Sequence, residues 1–82
     1  MNQRVLEYTN EGDTRRILFS YNMPVAIING DSATVVRMHS RTTSKHITIF
    51  LRDNRISDEN DVSQNAMDAV VTEFMSGIEF NG

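Results

Sequence analysis

Between Arg15 and Tyr21 the chain alternates. Ile17, Phe19 and Tyr21 fall on one side, and Arg16, Leu18 and Ser20 on the other. A two-residue period with one apolar side predicts a half-buried β-strand. A shorter strand, Arg4-Val5-Leu6-Glu7-Tyr8, precedes it, and the cluster Asn10-Glu11-Gly12-Asp13 reads as the turn between them. Asn22-Met23-Pro24 then interrupts the pattern. Proline has no backbone donor, so a bend or an edge position is expected there. Val25 to Ile28 resumes as strand, Asn29-Gly30 is followed by Asp31, and Ala33 to His39 returns. Asn-Gly between two apolar runs signals a hairpin, because both residues tolerate positive φ.

Ser40 to Ser44 is polar and rich in hydroxyls, and the stretch after it, Lys45 to Arg52, obeys two periods. Ile47, Ile49 and Leu51 alternate as in a strand, while Ile47, Phe50 and Leu51 recur as in a helix. We read a short helix, with Thr42, Thr43 and Ser44 as candidate N-caps. Its β-branched residues argue the other way. Asp53 to Asp61 reads as an acidic loop. The last element is the plainest: Met67, Val70, Val71, Phe74, Met75 and Ile78 share one helical face. Ser63 is placed to cap it, with Val62 and Met67 at the positions of a hydrophobic staple. Ser76-Gly77 supplies a stop, and Phe80 is placed to fold back on the core. Together these elements predict a single α+β domain over residues 1–82. Its three- or four-stranded antiparallel sheet is followed by one or two helices on one face.

Composition narrows the class. With 82 residues, 39% apolar and 23% charged, the chain fits one small soluble domain. The absence of Cys excludes a disulfide framework and Cys-based zinc sites, and it suits a reducing cytoplasm. No apolar run approaches the roughly 18–20 residues of a membrane span, and no signal or transit peptide is visible. A domain this short buries only roughly 60–65% of the surface its unfolded chain exposes. It must therefore pack an efficient core or share apolar surface with a second copy or another protein.

Charge is segregated along the chain. Residues 37–55 hold Arg37, Arg41, Lys45, Arg52 and Arg55 against Asp53 alone, a net of +4. Residues 56–82 hold Asp58, Glu59, Asp61, Asp68, Glu73 and Glu79 with no Lys or Arg, a net of −6. The basic stretch could hold a phosphate, a nucleic-acid backbone or an acidic protein surface. Equally, it is a solvated face that attracts the acidic C-terminal helix. Phe50 is the one aromatic within it, which gives no base-stacking platform. The acidic segment suits a basic partner, or simply the positive end of a helix dipole.

Candidate chemistry is sparse. His39 and His46 are the only histidines, and no carboxylate lies between them to complete a metal site. Ser40, Thr43 and Ser44 near His46 are the available nucleophiles, without a nucleophile elbow, and helix capping accounts for them. No Walker-type or dinucleotide glycine pattern is present. Met67 and Met75 lie on the apolar helix face, and Met23 and Met38 flank the hairpin; such residues fill a core or make an adaptable partner surface. These points indicate no cofactor and no enzyme.

Two blocks carry a resemblance. Phe19-Ser20-Tyr21-Asn22-Met23-Pro24-Val25-Ala26 and Ser40-Arg41-Thr42-Thr43-Ser44-Lys45-His46-Ile47 resemble a group of small proteins encoded by phages and other mobile elements. That group has an aromatic-Ser-Tyr-x-x-Pro-(Val/Ile)-Ala strand and a Ser-x-Thr-Thr-Ser-(Lys/Arg)-His segment. The resemblance covers about residues 17–51, and it departs at Met23, where the group usually has Thr. It implies genome context and action by binding, and it transfers no catalytic residue. The expectation is a non-enzymatic cytoplasmic protein that binds a host protein. Its two candidate surfaces are Arg37, Arg41, Thr43, Lys45 and His46, and Asp58, Glu59, Asp61, Asp68 and Glu73. The alternative is a nucleic-acid- or phosphate-binding accessory protein using the basic stretch.

Overall fold

Left-handed backbone positions fold the first half of the chain onto itself three times. In the computed structural model, which describes residues 3–10, 12–37 and 40–76, Gly12 lies in the first turn at φ 82°. Tyr21 (53°) and Asn22 (67°) form the second, and Gly30 (65°) opens the third. These turns join β1 (Gln3–Asn10), β2 (Asp13–Ser20), β3 (Met23–Asn29) and β4 (Ser32–Val35), each antiparallel to the one before. Positive φ at both central residues marks a type I′ turn, whose twist matches that of its strands. Tyr21 therefore stands in the turn and not on the strand face expected for it. In the third turn Asn29 pairs with Ser32, so the central residues are Gly30 and Asp31, one position later than expected. Glycine at the first central position is what a type II′ turn requires.

Pro24 marks an irregularity. Leu18 faces Ala26 while Phe19 faces Pro24, so Val25 is an extra residue in β3. A bulge tolerates the missing proline donor and turns Val25 to the same side as Ala26. Beyond β4 the Val36 amide donates to the Val25 carbonyl at 2.8 Å. The expected continuation through Met38 and His39 lies outside the described residues.

The ambiguous stretch is a helix, α1 (Arg41–Asp53), starting earlier than expected. Its cap is Ser40, whose hydroxyl accepts from the Thr43 amide at 3.3 Å, not Thr42, Thr43 or Ser44. The helical period prevails because Ile47, Phe50 and Leu51 then bury together. At the far end Arg55 adopts φ 58°. Its amide donates to the Arg52 carbonyl (3.0 Å), and the Ile56 amide to that of Leu51 (2.9 Å). This is a Schellman motif, with Ile56 packed on the core beside Leu51.

The expected acidic loop contains a strand, β5 (Asp58–Asp61), paired in parallel with β4. The sheet is therefore five-stranded and mixed, in the order β1-β2-β3-β4-β5, and not purely antiparallel. Helix α2 (Gln64–Ser76) follows, capped by Ser63 through its hydroxyl and the Ala66 amide (3.2 Å). Val62 and Met67 join one cluster, as a staple requires. The expected stop at Gly77, the position of Ile78 and the return of Phe80 lie outside the described residues.

The helices pack on opposite faces of the sheet, not on one. Leu18, Val25, Ala26, Ile28, Ala33 and Val35 cluster with Ile47, Phe50 and Leu51 of α1. Their strand neighbours Ile17 and Ile27, with Val36, cluster with Met67, Val71 and Phe74 of α2. Side chains alternate along a strand, so adjacent residues feed two separate cores.

Candidate functional site

The two resemblance blocks meet at one place. Ser20 ends β2, and Thr43 and His46 stand three residues apart on α1, one turn of the same helical side. The Ser20 and Thr43 hydroxyls lie 3.1 Å apart, and Ser20 Oγ lies 3.2 Å from His46 Nδ1. Ser40 Oγ, already the helix cap, donates to Thr43 Oγ1 at 3.4 Å. Ser20 is 1% exposed and Thr43 5%. Hydroxyls this deep do not reach an external ester or amide. Their bonds satisfy one another and fasten the start of α1 to the sheet. Thr43 thus supports a surface and does not form one. His46 is half-buried and borders solvent.

That border opens into a groove. Helix α1 packs over β2 and β3; on the same side of the outer strand β1, Val5 stands opposite Leu18 and is half-exposed. The groove between β1 and α1 has a volume of about 450 Å³. Val5, Leu18, Ile49 and Phe50 supply its apolar wall, with His46 toward one end and Asp53 toward the other. Helical rise separates those two by about 10 Å. Arg16 crosses the Asp53 end, donating through Nε to Glu7 at 2.9 Å and through Nη1 to Asn54 Oδ1. The remaining apolar exposure gathers at the His46 end. Val5 (49% exposed), Tyr21 (52%) and Met23 (41%) are the exposed large apolar residues among those described. Tyr21 and Met23 stand at the β2–β3 turn beside the Gln3–Ser20 pair, and Val5 two residues along β1 from it. Val5 and Tyr21 are not evident in the sequence because each fits a strand face; only strand order and turn geometry show them uncovered.

The two charged patches expected from the sequence are joined. Arg37 donates to Glu59 through Nε (2.9 Å) and Nη2 (3.0 Å), and to Thr48 Oγ1 through Nη1 (3.2 Å). Its amide donates to Asp61 Oδ1 at 3.2 Å. The basic stretch attracts β5, where the sequence suggested the C-terminal helix. Arg41 and Lys45 are exposed on α1, Asp58 is exposed on β5, and Asp68 and Glu73 are exposed on α2. Asp68 accepts from Gln64 Nε2 (2.9 Å), which also donates to the Pro24 carbonyl (2.8 Å).

The bidentate hydrogen bond from Arg37 lowers the Glu59 carboxyl below its ordinary value. The folded state then binds that proton more weakly than the unfolded chain. Its stabilisation is present above the unfolded carboxylate value of about 4.3 and is lost as pH falls through the lowered one. Both side chains are partly exposed (30% and 37%), so Glu59→Gln should cost under about 1 kcal/mol at neutral pH. Urea titrations of both proteins should show that difference closing below pH ~4.

Among the described residues no group of three or more His, Asp or Glu is placed to hold a metal ion. None of their helices is long and apolar enough to cross a membrane. Fold and groove define a small α+β protein: the described residues form a mixed five-stranded sheet between two helices and leave one edge strand uncovered. Residues 1–69 match the family of unknown function DUF8033, and the chain belongs to that family. Neither a curated protein nor a solved structure matches it.

Proposed function

We propose that this chain is a non-enzymatic accessory protein that works by binding another protein. The observation that carries this is the gathering of Val5, Tyr21 and Met23 at one end of the sheet, beside the β1–α1 groove. Apolar side chains collected beside a groove mark an interaction surface, whereas scattered ones do not. Tyr21 adds weight. An aromatic residue at positive φ costs roughly 1–2 kcal/mol, and its ring remains half in water. Strain kept at an exposed position is a feature of functional sites. The resemblance to phage-type proteins extends the reading: the bound protein belongs to a bacterial host, and binding in the cytoplasm modulates or inhibits it. A nucleic-acid reading would draw on Arg41, Lys45 and Arg55. It is the weaker, because Arg37 is engaged by Glu59 and Arg52 lies 4.0 Å from Asp53.

Affinity capture from bacterial lysate tests the reading. The wild-type chain should retain one stoichiometric protein. Tyr21→Asn keeps a residue suited to positive φ, so stability should hold or rise while capture falls at least tenfold. Capture of background alone, or capture indifferent to Tyr21, would refute it.

A further inference from the structure

The two edges of the sheet differ in a way that points to a specific occupant. β5 is four residues long, fully exposed and acidic (Asp58-Glu59-Asn60-Asp61). Short, charged edge strands resist pairing with other chains. β1 is eight residues long, carries no Lys or Pro, and among the described residues no strand pairs with its outer row of backbone donors and acceptors. On its α1 side Gln3, Val5 and Glu7 alternate toward the groove, since they pair with Ser20, Leu18 and Arg16.

The groove is also electrically polarised. Toward the His46 end stand Lys45, the chain neighbour of His46, and Arg41, one turn earlier on α1. Among the described residues neither has a carboxylate partner. Arg4 turns to the other face of the sheet, its guanidinium 5.3 Å from the centroid of the Phe19 ring. The positive end of the α1 dipole lies at this end too. Toward the other end the charges are paired, Arg16 with Glu7 and Asp53, on the groove wall, with Arg52 at 4.0 Å. A partner that complements this pattern is apolar along its length and acidic at one end.

We propose that the β1–α1 groove takes an extended acidic peptide segment of a partner protein, which adds to β1 as a sixth strand. The inference rests on the reading of this chain as a protein-binding module. Strand rise is about 3.3 Å per residue, so the Gln3–Glu7 stretch matches a segment of about five residues. Backbone pairing along β1 supplies affinity. Alternate apolar side chains enter beside Val5 and toward Ile49, and an Asp or Glu at the leading end meets Arg41 and Lys45. The charge gradient sets the direction of the segment.

The probe is a displayed library of short random peptides selected on the folded chain. Enriched sequences should alternate apolar residues and cluster Asp or Glu at one end. A synthetic copy of the strongest should shift the amide resonances of Gln3–Glu7 and His46–Asp53. Val5→Lys, an exposed change that leaves both cores intact, should weaken it at least tenfold. Lys45→Glu should weaken it about fivefold and steepen with falling salt. No enrichment, enrichment of basic or patternless sequences, or shifts away from β1 would overturn the proposal. So would a single-stranded DNA oligonucleotide displacing the peptide, or β1 amides protected by self-association of the chain alone. If lysate capture is unchanged by Val5→Lys, the protein-binding reading survives and this groove is not its docking site.

Discussion

Ile17→Ala and Leu18→Ala are each expected to cost about 2–5 kcal/mol, although the two residues are neighbours on one strand. Ile17 is fully buried under α2, and Leu18 is 1% exposed under α1. A sheet covered on one face would make one of these substitutions nearly free. Total stability for a chain of this length is roughly 4–12 kcal/mol. Either variant should therefore show a large drop in urea midpoint, and both together should leave little folded protein at room temperature. A loss under about 1 kcal/mol at Leu18 would mean that α1 does not cover the sheet.

The second large effect is expected at the junction of Ser20, Thr43 and His46. Ser20→Ala removes a hydroxyl that serves both Thr43 and His46 Nδ1. Thr43 keeps its bond from Ser40 and His46 borders solvent, so the loss is that of two net hydrogen bonds, about 1–3 kcal/mol together. Thr43→Val removes a second member in nearly the same shape. Once Ser20 is Ala, that change should cost less, because the partner it would have orphaned is already gone. A double-mutant cycle should return a coupling of about 0.5–3 kcal/mol. Simple additivity would show that the hydroxyls do not act together. The fastening also matters for function, since it sets where α1 begins and so where His46, Ile49 and Asp53 stand along the groove.

Much of the fold is legible in the residues. The alternation around Phe19, the turn residues near Gly30, and the Ser63 cap with its Val62–Met67 staple each encode an element locally. What escapes is what the sheet alone decides. Asp58-Glu59-Asn60-Asp61 has no strand preference; it pairs because α1 delivers it beside β4. The second covered face is hidden for a related reason. Leu18 sits between Arg16 and Ser20, so that side of β2 reads as polar. In the fold those neighbours are satisfied by Glu7 and Asn54, and by Thr43 and His46. Polar residues with dedicated partners imitate a solvated face. The candidate site is legible in part: the stretch around Arg41, Lys45 and His46 borders the groove. The uncovered β1 wall is not, because exposure at an edge follows from strand order. The Arg37–Glu59 pair also depends on the crossover, which turns two expected surfaces into one.

The parallel pairing of β4 with β5 sets an order of assembly. The first four strands are linked by tight turns, so each docks on its predecessor by closing a short loop. β5 reaches β4 only after the whole of α1 has been threaded across the sheet, and the entropy of that longer closure is lost before any pairing repays it. No side chain of β5 is buried to hold it once it arrives. It is therefore the strand that joins last and leaves first. Its departure frees Arg37 while the four-stranded meander beneath stays closed.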